Sequence, residues 1–203
     1  DYSSNVTYIV PNFSDREVVE ALEAQGINCV LLEDNQEYEL VESQLKVKLF
    51  ITDVGINIDS AILVELGDET FLNQNDCKIN DRLNHIKAPI TYYSVQFSGA
   101  NWHPHCYEYP DKQKKQIAAK KTNVKIKTLI QAIKTLNPSI YLPAAGPAIF
   151  PHLNESWSLK DDNIFIHQDK LDRALRARVD CDIVYIRPGE DLNQESRGNG
   201  QSA

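Results

Sequence analysis

The first apolar run, Thr7-Tyr8-Ile9-Val10, is short and closed by Pro11, which predicts a buried strand. Val18, Val19 and Leu22 follow at helical spacing. Ser14 stands in the N-cap position with Glu17 three residues on, a capping box, and Gly26 ends the run. Asn28 to Leu32 is the next strand. This strand–helix–strand order is an α/β rhythm.

The texture then changes to period two. Tyr38–Val41, Leu45–Thr52, Ser60–Leu66 and Glu69–Leu72 read as strands, and Gly67-Asp68 as the hairpin turn between the last two. Leu45, Val47, Leu49 and Ile51 alternate with Lys46, Lys48 and Phe50, so one face is apolar. Pro89 to Gln96 is a further strand, and it runs into a loop from Phe97 to Pro110 that is dense in aromatic and His residues. From Asp111 to Leu136 the period is helical, with Ile126, Leu129, Ile130, Ile133 and Leu136 as the stripe and Asn137-Pro138 as the stop. Ser139–Leu142 is a strand leading into Pro143-Ala-Ala-Gly-Pro147. A helix near Gln168 to Arg178 and a strand Ile183–Ile186 close the pattern. With no repeat and no linker, residues 1–187 read as one α/β domain, and residues 188–203 have the composition of a disordered tail.

Composition adds little until charge is placed along the chain. The 203 residues are 42 % hydrophobic and 25 % charged, ordinary for a globular protein. No apolar run reaches the length of a membrane span. The net charge of −8 divides unevenly: residues 1–110 hold 18 acidic and 6 basic side chains, whereas residues 111–136 hold eight Lys and one Asp. An acidic body excludes non-specific binding to nucleic acid or an anionic membrane, while the lysine helix can meet a phosphate or an acidic partner. The four Cys are widely spaced with no C-x-x-C, which points to reduced thiols and a cytoplasmic protein rather than a zinc knuckle. The chain contains no Met at all, which suggests a fragment or processed piece.

Four places could carry chemistry. Phe71 and Leu72 lead into Asn73-Gln74-Asn75-Asp76-Cys77; a carboxylate at a strand end suits a metal ligand or general base, and the same residues also make an ordinary turn. Gln96-Phe-Ser-Gly-Ala-Asn-Trp102-His103-Pro-His105-Cys106-Tyr107 offers Gly99 for close approach, Trp102, His103, His105 and Tyr107 as a pocket wall, and a His-x-His pair, or else an aromatic loop packed on the surface. Lys114, Lys115, Lys120 and Lys121 could face a phosphate or simply solvate their helix. The small-residue loop 143–147, with His152 after it, could border a ligand or be structural.

Together these blocks resemble one family. Asp59-Ser-Ala-Ile62 leading to Leu72-Asn-Gln-Asn-Asp76-Cys77, then Gln96-Phe-Ser-Gly-Ala-Asn-Trp102, Pro104 and Cys106-Tyr-Glu-Tyr-Pro110, are similar to metallo-β-lactamase-fold domains of the CMP-N-acetylneuraminate hydroxylase type. The likeness runs over roughly residues 7 to 170. It implies an αββα metallo-β-lactamase-like sandwich, incomplete at its N-terminus, with Asp76 matching the acidic residue that binds metal after a strand.

The family's H-x-H-x-D-H motif does not occur in this chain, so the resemblance makes it the C-terminal two-thirds of such a domain. A divalent metal, Zn or Fe, would then need ligands from the missing N-terminal segment or a partner subunit. The Rieske iron–sulfur cluster of the hydroxylases is not encoded here, since no C-x-H…C-x-x-H pair occurs. The resemblance implies a metal-dependent hydrolase or hydroxylase-like enzyme. Asp76 would be its catalytic and metal residue. Trp102, His103, His105, Tyr107, Lys114 and Lys115 would bind a small anionic sugar or nucleotide-sugar substrate. The competing expectation is a degenerate, non-catalytic binding module of the same fold that has lost its metal ligands.

Overall fold

The computed structural model describes residues 6–99, 103–148 and 163–192. The chain divides into two compact units, Asp1–Asp81 and Arg82–Ala203, and each is described by itself.

In the first unit, β1 (Thr7–Pro11) and β2 (Asn28–Leu32) pair in parallel, joined through helix α1 (Glu17–Ala24). The helix begins differently from the capping box that the sequence suggests. Its N-terminal residues bond to Asp15, whose carboxylate accepts the Glu17 N–H at 2.9 Å. Ser14 instead turns to Asp53, giving its backbone N–H to Oδ2 at 2.6 Å and its hydroxyl to Oδ1 at 3.1 Å. Asp53 thus accepts the Ser14 N–H that a capping box would give to the Glu17 carboxylate, and Asp15 takes the place of Ser14 as the local acceptor. Gly26, at φ 73°, ends the helix as expected.

The meander follows as β3 (Glu37–Leu40), β4 (Leu45–Val54), β5 (Asn57–Leu66) and β6 (Glu69–Asn75), each antiparallel to the next. Gly67-Asp68 is the turn between β5 and β6, with Leu66 opposite Glu69. A second two-residue turn, Gly55-Ile56, joins β4 to β5, so those strands are longer than the apolar run alone suggests. Register sets the packing. Val47 lies opposite Val64, and Leu49 opposite Ile62. This face closes over Leu32, with Ile9, Val30, Tyr38, Leu45 and Ile51 around it. The alternate residues Phe50, Ala61, Leu63 and Leu72 are also buried, so both faces of the meander are covered. Lys46 and Lys48 both reach Glu37 across the edge, at 3.5 Å each.

The second unit is built on three parallel strands, β7 (Tyr92–Gln96), β8 (Ile140–Ala144) and the two-residue β9 (Asp182–Ile183). The strand at the Pro89 end starts later than the sequence suggests, and the last strand stops before Ile186. Helix α2 (Asp111–Leu136) crosses from β7 to β8 with the limits its periodicity predicts. Its end is fixed by Asn137 in the left-handed region, φ 47°, with the Asn137 N–H on the Ile133 carbonyl at 2.7 Å. Ala118, Thr122, Ile126, Leu129, Ala132 and Ile133 form its buried stripe. Helix α3 (Gln168–Leu175) buries Leu171 and Leu175 and carries two i,i+4 ion pairs, Asp169 with Arg173 and Asp172 with Arg176. The Arg173 guanidinium is the main reason the Asp169 carboxyl is held below its ordinary range. The expected tail, 188–203, lies outside the described residues from 193 onward.

Candidate functional site

Asp76 belongs to the first unit and the other candidates to the second. The turn carrying Asp76 is held from below. Gln74, 1 % exposed, donates its amide to the Cys77 carbonyl at 2.8 Å and to Asn80 Oδ1 at 3.3 Å. The Cys77 N–H returns to the Gln74 carbonyl at 3.0 Å. The Cys77 thiol is buried beside Thr52 Oγ1, at 3.6 Å. Asn75 takes φ 49°, a left-handed conformation that Asn tolerates. Gln74 and Cys77 therefore point inward and hold a rigid turn, and Asp76 stands exposed on it. Part of the Asn-Gln-Asn-Asp-Cys block is thus structural, and Asp76, with Asn75 beside it, is offered to solvent.

The second cluster forms where β7 ends. In parallel sheets the carboxyl ends of strands are where loops gather side chains around ligands. Phe97 and Ser98, both 1 % exposed, continue inward from Gln96, and the Phe97 N–H bonds the Ala144 carbonyl at the end of β8. The Ser98 hydroxyl accepts the Ile166 N–H at 3.0 Å. That bond seats the segment Ile164–Ile166, whose Phe165 packs on Ala118 of α2. Gly146 lies over Phe97: a Cβ there would meet the ring at 3.8 Å, ordinary contact, so the 143–147 loop has room at this point.

The loop after residue 102 is anchored by the helix. Lys121 Nζ donates to the His103 carbonyl at 3.0 Å, and Lys125 Nζ to Gln96 Oε1 at 3.4 Å. Lys114, Lys121 and Lys125 are half-buried, and their spacing puts them along one side of α2. His103, Tyr107 and Tyr109 form a ring cluster. The His103 ring meets Tyr107 edge-on at 5.2 Å and Tyr109 at 5.9 Å, while the two Tyr rings lie 6.0 Å apart. His105 is half-buried, Tyr107 is 54 % exposed, and Lys115 is exposed on α2. Trp102 and His152 lie outside the described residues.

The structure thus brings His103 and Tyr107 together on a loop tied to the lysine helix. Lys125 and Gln96 belong to the same arrangement and were not singled out by sequence. Their signal was available, since Gln96 is the last residue of a strand and Lys125 follows Lys121 by four. The His103 carbonyl carries no sequence signal, because every residue has one. All four Cys are free thiols.

Among the described residues no three His, Cys, Asp or Glu side chains gather as a metal-binding group. Asp76 on its exposed turn does not by itself fit a metal, so no chemical step is assigned through one. Among the described residues no helix is long and apolar enough to cross a membrane.

No family model matches the chain. A protein of Mycobacterium tuberculosis, named as a Rieske 2Fe-2S iron–sulfur protein, is 30 % identical over 138 residues, 64 % of this chain and 27 % of that protein. One of the same name from Mycolicibacterium smegmatis is 29 % identical over 140 residues, 64 % of this chain and 26 % of its own length. The chain therefore spans about a quarter of the curated relatives it matches. Among solved structures, the metallo-β-lactamase fold protein YhfI of Bacillus subtilis matches with a TM-score of 0.53 and 9 % identity, over 92 % of this chain and 66 % of that one. A protein of Parabacteroides distasonis, named as a metal-dependent hydrolase, matches with a TM-score of 0.50 and 11 % identity, over 89 % and 65 %. At these identities the likeness shows the fold alone: mixed α/β, of the metallo-β-lactamase type, as found in metal-dependent hydrolases.

Proposed function

We propose that the chain supplies the substrate-facing part of a metal-dependent hydrolase or hydroxylase-like enzyme, with an anionic sugar or nucleotide sugar as substrate. The observation that carries this reading is the Lys121–His103 bond, which holds an aromatic loop against a helix bearing eight Lys and one acid. Aromatic faces pack on the apolar faces of a sugar ring, and ammonium groups meet its phosphate or carboxylate by charge-assisted hydrogen bonds. His103, His105 and Tyr107 form the ring side of the site, to which the sequence block adds Trp102 as a further candidate; Lys114 and Lys115 form the charged side. The resemblance to the CMP-N-acetylneuraminate hydroxylase type supports the substrate class. The relatives' Rieske name supports a redox segment outside this chain, or a partner subunit.

The test is calorimetric titration with CMP-N-acetylneuraminate at low and high salt. Binding should weaken with salt and fall roughly tenfold or more when Lys114 and Lys115 are both replaced by Glu. Binding indifferent to salt and to those replacements would overturn the reading. Metal content, measured on the full-length product with and without Asp76→Ala, separates enzyme from binding module. A loss of metal in the variant supports Asp76 as a ligand. Binding without any metal supports the module.

A further inference from the structure

A concave surface lies at the other end of α2, about 20 Å along the helix from Lys121 at 1.5 Å per residue. It is a half-open cleft of about 490 Å³ between the last turn of α2 and the connection from α3 to β9. Its floor is apolar, with Ile133, Pro138, Ala177 and Val179. Its polar lining is lopsided: Lys134, Arg176 and Arg178 against the one carboxylate of Asp180. On a chain of net charge −8 such a concentration of cations is not expected from composition.

We infer that this cleft is a binding site for a small phosphate ester with an apolar body. The wall is built, not frayed. The N–H groups of Arg178 and Val179 both fold back to the Leu175 carbonyl, at 2.7 and 3.0 Å. Arg176 is braced by Asp172 at 3.1 Å, and Asp172 is braced in turn by the Tyr185 hydroxyl at 2.9 Å. Lys134 and Arg178 form no ion pair among the described residues. With the Arg176 charge taken up by Asp172 and Asp180 set against the remaining pair, it is Lys134 and Arg178, the two cations outside any ion pair among the described residues, that are placed to meet the oxygens of a phosphomonoester. A guanidinium also presents paired N–H donors suited to phosphate oxygens. The volume falls within the range of roughly 300–1,000 Å³ common for small-molecule sites, and the apolar floor has room for an organic group.

The experiment is an amide-resonance titration of the whole chain with phenyl phosphate, run beside inorganic phosphate and benzoate. The expected result is that phenyl phosphate binds tightest and moves the amides of Lys134–Asn137 and Ala177–Cys181. Affinity should fall about tenfold in Lys134→Glu and again in Arg178→Glu. Both side chains are exposed, so circular dichroism should be unchanged and CMP-N-acetylneuraminate titrations should match those of the parent chain. Three outcomes overturn the assignment: benzoate binding as tightly as phenyl phosphate, shifts confined to other residues, or affinities unmoved by either reversal.

Discussion

Removing the Ser98 hydroxyl tests how the end of β7 is held to the rest of its unit. Ser98 and Ile166 are each 1 % exposed and are joined by a 3.0 Å hydrogen bond, with Ile166 N–H donating. Ser98→Ala removes the side-chain acceptor of that buried N–H. The space vacated by one oxygen is smaller than the roughly 30 Å³ share of a water molecule, so solvent does not replace the acceptor. An orphaned buried donor costs about 1–3 kcal/mol. At a urea dependence of about 2 kcal/mol per molar, a central value of about 2 kcal/mol lowers the unfolding midpoint by about 1 M.

Thr122→Val is the matched control. Thr122 is equally buried, but its hydroxyl donates to the Ala119 carbonyl at 3.1 Å, an oxygen the helix ladder also uses, and the replacement fills the same volume. Its midpoint should move by no more than about 0.5 kcal/mol equivalent. The assay is urea unfolding by far-ultraviolet circular dichroism, with hydrogen exchange at the Ile166 amide as the local readout. A Ser98→Ala shift no larger than that of Thr122→Val, with Ile166 exchange unchanged, would refute the reasoning.

Three further outcomes follow from the same structure. Asn137 sits at φ 47° after α2, so Asn137→Ala should cost about 1 kcal/mol and Asn137→Gly little or nothing, read from thermal unfolding. Lys121→Met should free the His103 carbonyl, speed proteolysis of the 103–109 loop and cost about 1 kcal/mol, with no change expected at β9 amides. Cys181 is raised from 9.0 to about 11, chiefly by burial, and burial also raises Tyr93, Tyr141 and Tyr185. The unfolded chain ionises these groups first, so their stabilising contribution is complete below about pH 9 and lost as pH rises past it. The unfolding temperature should therefore fall between pH 9 and 11, and Cys181 should alkylate more slowly than exposed Cys106 at pH 8. A flat profile across that interval would refute the sign.

Sequence reasoning succeeded where the determinant is local. The limits of α2 were legible because a helical period and the Asn137-Pro138 stop lie in the same stretch, and the β5–β6 turn because Gly67-Asp68 announces itself. Ser14 misled because its partner, Asp53, is 39 residues away, while Asp15 did the work locally. The β7 loop was legible as a group of chemical types, but not as a built object: its anchor is a backbone carbonyl met by Lys121. The cleft of Lys134 and Arg178 was invisible for a related reason. Its walls come from two stretches some forty residues apart that only the packed helices bring together. Within the Asn73–Cys77 block, the inward-facing Gln74 and Cys77 could not be told from the exposed Asn75 and Asp76 until Gln74 was seen bonding Cys77.

The β4–β5 hairpin has a consequence for how the chain folds. Nine residue pairs, Lys46 with Glu65 through Val54 with Asn57, close across the two-residue turn Gly55-Ile56, whose Ile56 is 99 % exposed. Closing so short a loop costs little entropy, and hairpins of this kind form in roughly 1–10 μs. β7 and β8, by contrast, meet only after the whole of α2 has been laid between Gln96 and Ile140. The rate-limiting search should therefore belong to the parallel strands. Truncating Leu63 should mainly slow nucleation in the first unit, and truncating Tyr141, which lies in the late-pairing β8, should mainly slow folding of the second. The meander can then stand assembled while the loop end of β7, and with it the aromatic cluster, is still forming.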